Sequence, residues 1–280
     1  MTQLTEDTFE QTLRSFITSE QIDLRNVSFI DPYGMLGLLE IGELCMAENV
    51  KKTVLLPRSE EVLQYLDRID FFTYAKQYYS LEYASAAPSD KHAKIGDSDV
   101  LLEITPIERS NDIHYIVGKV RDRAQAILST HLHYDDRAIN GFIVALSEVC
   151  QNIVEHSENK GFVGIQKYRY QSLKKNIVKI AVMDVGIGFR KSLSTRFKLK
   201  SDLDAIDKAL LHGASRYEDE GRGHGLAGVR KFVTEWQGKL SIRSGSARLS
   251  IIPKWARGCD QERNLTLFPG SQINIILPEV

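Results

Sequence analysis

Three short segments in the second half of the chain carry residue types able to do chemistry. In residues 145–157, ALSEVCQNIVEHS, Glu148, Asn152 and His156 follow one another at intervals of four. On a helix that spacing puts the three side chains along one face. A carboxylate there can take a proton from water or a hydroxyl, and an amide oxygen can hold a hard cation such as Mg²⁺. Polar groups on an otherwise apolar helix need a cavity or solvent, so the same row also fits the solvated stripe of a surface helix. In residues 182–189, VMDVGIGF, an apolar run ends on Asp184, and Gly186 and Gly188 remove side chains just beyond it. A flat ligand can then approach the backbone while the carboxylate accepts a hydrogen bond from an amino group. A tight turn with a capping aspartate reads the same way. In residues 221–229, GRGHGLAGV, four glycines precede an apolar helical pattern. That suits backbone N–H groups wrapped around phosphates at a helix N-terminus. No strand leads into these glycines, so they do not make a dinucleotide fingerprint, and no GxxxxGK[ST] occurs in the chain.

Hydrophobic periodicity supplies the elements that must hold these groups. It predicts helices over 113–129, 136–156 and 202–212, and a further helix over 226–236 entered through the glycines. Strands are predicted at 100–104, 161–170, 177–185, 239–244 and 271–277, while 252–269 has no regular pattern. The expectation for this half is an α/β sandwich, with helices on one face of a mixed sheet. The first half reads as an amphipathic start at 8–17, a strand at 21–29, a loop at 31–34, an apolar helix at 35–47, a strand at 52–56 and a helix at 60–69. Such spacing indicates a small α/β layer. Between the halves, 84–98 (ASAAPSDKHAKIGDS) is small, polar and proline-containing, and breaks the pattern. The fold class expected is therefore α/β (α+β), with domains at 1–85 and 99–280 and a linker at 86–98.

Composition narrows the classes further. The 280 residues, 42% hydrophobic and 26% charged, suit two globular domains. A net charge of −1 conceals a split: residues 1–97 carry 9 basic and 16 acidic side chains, a net −7, against 27 and 21, a net +6, in residues 98–280. Opposite charges suit two bodies that face each other, within one chain or between two. No apolar run is long enough to span a bilayer, and residues 1–10 lack the pattern of a signal peptide. Cys45, Cys150 and Cys259 are scattered and have no CxxC spacing, which argues against a disulfide framework or zinc site and fits a reducing, cytoplasmic setting. The basic excess is too dilute for nucleic-acid binding. Neither nucleic acid nor membrane is expected as a partner.

In their order and spacing the three segments resemble the N, G1 and G2 boxes of the GHKL (Bergerat-fold) ATP-binding superfamily. That group takes in histidine-kinase catalytic domains, anti-sigma-factor serine kinases, type II topoisomerase ATPases and Hsp90 chaperones. The resemblance covers about residues 100–280, and PGSQINIILP is similar to the family's closing strand, with Ser271 where threonine is usual. It implies ATP and Mg²⁺ as ligands. It also implies that Asp184 binds the adenine amino group with Ser271 supporting it through water, and that Gly186 and Gly188 admit the ring. Asn152 would coordinate Mg²⁺, and Glu148 would stand as general base. Arg222, Gly223, His224, Gly225 and Leu226 would enclose the phosphates, with His156 near the nucleotide. Residues 190–220 would form a mobile lid, from which Arg216 or Arg222 reaches the terminal phosphate.

His114, His131 and His133 lie ahead of the N box, but none has the H-E-x-x-x-P context of a phosphoacceptor on a helical pair. The form EVCQNIVEH is instead similar to the anti-sigma serine-kinase branch. In the first half, NVSFIDPYGMLGLLEIGELC resembles the core of a STAS domain, where a strand leads through D-S-S-G into a helix and the phosphorylated serine lies in that loop. Here the loop is Asp31-Pro32-Tyr33-Gly34. Both serines are replaced, so the front domain is expected to be a docking or regulatory module, with Tyr33 the hydroxyl that remains in the loop. The function expected is a Mg²⁺-dependent ATP-binding signalling protein. It would be a serine/threonine-type protein kinase of the anti-sigma kind, acting on a partner with an intact STAS domain; a homodimer is also compatible. The alternatives are a GHKL ATPase switch and a non-catalytic ATP-sensing interaction module.

Overall fold

The structure, a computed structural model, describes residues 2–83, 99–171, 173–214 and 225–280. The expected linker, 86–98, lies outside these residues. The chain opens on β1 (Thr2–Leu4) and α1 (Glu6–Thr18), whose Phe9, Leu13 and Phe16 form a buried stripe at helical spacing. Next come β2 (Gln21–Asp23) and β3 (Val27–Ile30), then α2 (Pro32–Ala47), β4 (Thr53–Leu55), α3 (Glu60–Arg68), α4 (Phe71–Tyr78) and β5 (Ser80–Glu82). The single strand expected at 21–29 is broken: β2 pairs in parallel with β4, and β4 with β5, while β3 pairs in parallel with β1. The loop expected at 31–34 is also corrected. Asp31 is the N-cap of α2 and its carboxylate accepts from the Gly34 N–H at 3.0 Å, with Pro32 in the first turn. Proline there has the φ a helix needs, and its missing N–H would have had no helical partner. α2 is apolar around most of its circumference, and it is buried around most of it.

The second half runs β6 (Val100–Ile107), α5 (Ser110–Leu132), α6 (Asp136–Asn152) and a π-helical turn, Ile153–Ser157. The hairpin β7 (Gly161–Tyr170) and β8 (Lys175–Asp184) leads to α7 (Gly188–Leu193), α8 (Asp202–His212) and α9 (Gly225–Glu235). β9 (Lys239–Gly245), β10 (Ala247–Ile251), β11 (Gln261–Glu262) and β12 (Phe268–Pro278) close the chain. One seven-stranded sheet collects these strands in the order β11-β10-β9-β12-β8-β7-β6. Its pairings are antiparallel, not mixed as expected. β8 and β9, joined across helices, do run in one direction, but β12 inserts between them and opposes both.

The two faces of this sheet have different partners. Val178, Ile180, Val182, Leu240, Ile242, Ile273 and Ile275 point one way, into a core shared with α5, α6, α8 and α9. Their neighbours in the two-residue strand period face the other way: Lys179 and Met183 on β8, Lys239, Ser241 and Arg243 on β9, Gln272 and Asn274 on β12. α2 lies across β7 and β8 on that side, and one hydrophobic cluster joins Phe9, Tyr33 and Met35 to Phe162, Ala181, Met183 and Phe268. Acids from the N-terminal layer meet the sheet's cations within it. Lys179 Nζ lies 2.8 Å from Asp31 Oδ2, Lys239 Nζ lies 3.0 Å from Glu6 Oε2, and Arg243 pairs with Glu10. Glu6 Oε2 also accepts from Asn274 Nδ2 at 2.6 Å. Burial alone would raise the Glu6 carboxyl, but Lys239, Ser241 and Arg248 hold it below its ordinary value. The opposite charges of the two halves thus meet inside one chain.

Candidate nucleotide site

α6 buries Ile139, Phe142, Ile143, Leu146 and Val149 against the sheet, and Asp135 caps its start by accepting from the Ala138 N–H at 2.7 Å. The remaining face brings up Glu148 and Asn152, both half-buried. Asn152 Nδ2 donates to the Glu148 carbonyl at 2.8 Å, which turns the amide oxygen away from the helix. The α-helix does not continue to 156 as expected. Its last turn, Ile153–Ser157, widens into a π-helix, so His156 is displaced around the axis from the line of Glu148 and Asn152. Gln151 Nε2 instead donates to Glu155 at 2.7 Å. Such π-turns recur at functional sites. Here the turn delivers Ser157, buried, to the loop after β8, where its carbonyl accepts from the Ile187 N–H at 2.9 Å.

Asp184 ends β8 and is 1% exposed. Its Oδ1 accepts from the Gly186 N–H at 2.8 Å, and its Oδ2 accepts directly from Ser271 Oγ, where support through water was expected. Burial raises the carboxyl above its ordinary value, and the hydrogen bonds from Ser271, Gly186 and Ser157 only partly offset that rise. Gly186 and Gly188 are glycine for reasons internal to the protein. A Cβ on Gly186 would lie 2.0 Å from the Ser157 carbonyl oxygen, and one on Gly188, at φ +68°, would lie 2.7 Å from Ser244 Oγ. Close packing here brings the end of the π-turn, the loop after β8 and the start of β12 into one wall.

Gly225 begins α9 with φ +50°, and Leu226 is buried in the helical-face core. Arg222, Gly223 and His224, with Arg216, lie outside the described residues. The described part of the stretch expected as a lid, 190–214, contains α8, whose Leu203, Ile206 and Leu210 are buried, so this part is a packed element. Sequence reasoning missed Ser157, Ser244 and Gln272. Ser244 Oγ donates to the Gly270 carbonyl at 2.6 Å and accepts from the Phe189 N–H at 3.2 Å. Gln272 Nε2 donates to the carbonyls of Asp184 and Pro269 at 3.1 and 2.8 Å. None of these residues has a motif of its own; Ser157 and Gln272 merely adjoin residues that do.

Glu40, on α2, approaches the same wall from behind. Its carboxyl is fully buried, and neither oxygen has a hydrogen-bond partner among the described residues. Burial, with Asp184 and Glu43 nearby, raises it well above the ordinary carboxylate value against the pull of Lys160. A carboxyl whose native pKa exceeds its unfolded one contributes no penalty below the unfolded value and destabilises progressively as pH rises toward the native one. Glu40→Gln is therefore expected to unfold like the parent near pH 4 and to be the more stable at pH 7–8. The gain should approach about 1.4 kcal/mol per pH unit of that interval, read from urea denaturation across pH. Parallel stability curves would show that Glu40 is ionised in the native protein.

Residues 139–278 match the family model for histidine kinase-, DNA gyrase B- and HSP90-like ATPases. The span is half of the chain and runs from α6 to the end of β12, taking in Glu148, Asn152, Asp184 and Ser271. The chain belongs to this family. No individual curated protein matches it. It is thus an ATP-binding signalling protein of the GHKL type with an α+β fold. GHKL ATPases bind ATP, normally with Mg²⁺. Among the described residues, no group of three or more His, Cys, Asp or Glu side chains could hold a metal alone. Mg²⁺ commonly takes one or two protein oxygens and completes its shell with phosphates and water, so the single outward amide oxygen of Asn152 fits. The fixed carboxylate of Asp184 fits an amino group. No helix among the described residues is long and apolar enough to cross a membrane.

Proposed function

We propose that this GHKL protein is a serine/threonine-type protein kinase of the anti-sigma kind, with a STAS-like regulatory module at 1–85, a linker at 86–98 and the ATP-binding domain at 99–280. The observation that carries the reading is the placement of Glu148 four residues before Asn152 on α6, the helix whose π-turn ends on Ser157 against Asp184. In this reading Asp184, backed by Ser271, receives the adenine amino group, and Asn152 supplies an oxygen to Mg²⁺. The metal's contribution is to neutralise phosphate charge. Glu148 takes the proton from an acceptor hydroxyl as that oxygen attacks the γ-phosphorus; the bond to the β,γ-bridging oxygen breaks, and ADP leaves.

The acceptor belongs to another chain. Asp31 is occupied by Lys179 and by the Gly34 N–H, and Tyr33 is 1% exposed, which removes the loop's remaining hydroxyl from reach. A partner with an intact D-S-[ST]-G loop is the natural substrate. A second reading, an ATPase switch, is favoured by the ion pairs clamping the N-terminal layer to the sheet, because such a layer would register changes at the site. Incubation with γ-labelled ATP separates the possibilities. Label on the partner's serine supports the kinase, and phosphate release without a partner supports the switch. Nucleotide binding with neither leaves an ATP-sensing module and overturns both.

A further inference from the structure

Gln272 is wholly buried and holds the adenine wall together from the side facing away from the helices. By donating to the carbonyls of both Asp184 and Pro269 it clamps the end of β8 to the start of β12. Gly270 sits inside that clamp: a Cβ there would lie 2.0 Å from the Asp184 carbonyl oxygen. The register set in this way places Ser271 opposite Asp184 in the ladder, and so Ser271 Oγ on the carboxylate.

The clamp has its own support. Gln272 Oε1 accepts from an Arg243 terminal nitrogen at 3.4 Å, and that nitrogen also donates to the Gly245 and Phe268 carbonyls at 3.1 and 3.4 Å. The other terminal nitrogen donates to the Thr266 carbonyl and, at 3.3 Å, to Glu10. Arg243 Nε donates to the second Glu10 oxygen. The guanidinium has 0% exposure and spans the whole entry to β12. Glu10, on α1 of the N-terminal layer, is its partner anion. Without that charge a buried guanidinium has to seek water, and its bonds to Thr266, Phe268 and Gln272 move with it.

We propose that Arg243 and Gln272, keyed by Glu10 of the N-terminal layer, are positioning residues for adenine recognition, setting the geometry of Asp184 from the opposite side of the sheet. The inference rests on the reading of Asp184 as the acceptor for the adenine amino group. Adenine presents an amino donor where guanine presents a carbonyl acceptor, so a well-placed carboxylate selects ATP over GTP. A displaced one loses that selectivity. Loss of fold stability alone, in the fraction that remains folded, leaves the preference untouched.

The experiment measures equilibrium binding of ATP and of GTP to the full chain, alongside thermal unfolding. It compares the parent with Asp184→Asn, Glu10→Gln, Glu10→Asp and Gln272→Met. Glu10→Gln and Gln272→Met are expected to reduce the ATP-to-GTP preference about tenfold, within the usual range for coupled sites. Glu10→Asp should recover part of it by keeping the charge. Gln272→Met leaves the ion pair in place and keeps the test open if Glu10→Gln does not fold. If Asp184→Asn abolishes the preference while Glu10→Gln and Gln272→Met preserve it, the cluster is only structural and the inference is overturned. If Asp184→Asn itself preserves the preference, the adenine reading fails and the inference falls with it.

Discussion

Glu148→Ala is expected to slow phosphoryl transfer, or hydrolysis if that is the reaction, by about 10²–10⁴-fold, the usual contribution of a positioned general base. ATP affinity should stay within about threefold of the parent, because in the proposed role the lost group acts only on the proton that moves in the transition state. The structure keeps Asn152 in place through the substitution. Asn152 Nδ2 donates to the backbone carbonyl of Glu148 and not to its side chain, so the amide keeps its orientation when the carboxylate is removed. Alanine also favours the helix, and the half-buried position leaves no sealed cavity. Single-turnover rates and nucleotide binding on the same preparation check this. An undiminished rate would remove Glu148 from the chemistry, and a parallel loss of rate and affinity would make its role structural. Asp184→Asn is its complement, expected to act on adenine binding first.

Where local pattern and local cause coincide, the chain is readable. β7 occupies 161–170 and α8 occupies 202–212, the bounds the periodicity predicts, because each is a run ended by its own turn or cap signals. Asp184 was legible because an apolar strand stopping on a carboxylate and two glycines is a local pattern. What those glycines avoid was not. Their neighbours Ser157 and Ser244 come from 29 and 56 residues away, counting from Gly186 and Gly188, so glycine needed to admit a ligand and glycine needed for packing look alike. The π-turn was illegible for the same reason, since its end is fixed by contacts with the loop after β8. Asp-Pro-Tyr-Gly carried two valid local meanings, a turn and a helix start, and burial of α2 decided for the helix.

The back of the large sheet is the most instructive miss. Lys239, Ser241 and Arg243 alternate with Leu240 and Ile242, and such alternation is how an antiparallel sheet with one solvated face is written. The structure covers this face, and the polar side chains find acids on α1, and Lys179 the N-cap of α2, instead of water. The charge split between the halves was its trace in the composition. A total cannot say which of 16 acids meets which cation, and the pairings Glu6–Lys239 and Glu10–Arg243 join residues 233 positions apart.

Lys179→Met is the sharpest test of that covered face, and its expected cost is about 3–5 kcal/mol, the range for removing one member of a buried ion pair. Asp31 has 0% side-chain exposure, so once the ammonium is gone its carboxylate retains the Gly34 N–H but, among the described residues, no paired cation. Although burial disfavours the charged ammonium, Asp31, with Glu6 and Asp7, raises Lys179 above its ordinary value, so the lysine is charged throughout the neutral range. A domain's whole stability is about 5–15 kcal/mol, so a loss of this size is readily measured in urea. Asp31→Asn in the same chain should restore much of it: the buried negative charge goes, while asparagine caps α2 about as well as aspartate. The two changes should therefore be strongly non-additive. A loss below about 1 kcal/mol would mean that the pair behaves as a solvated surface contact. The N-terminal layer would then be held to the sheet by its apolar cluster and by the Glu6 and Glu10 pairs, with no contribution from this one.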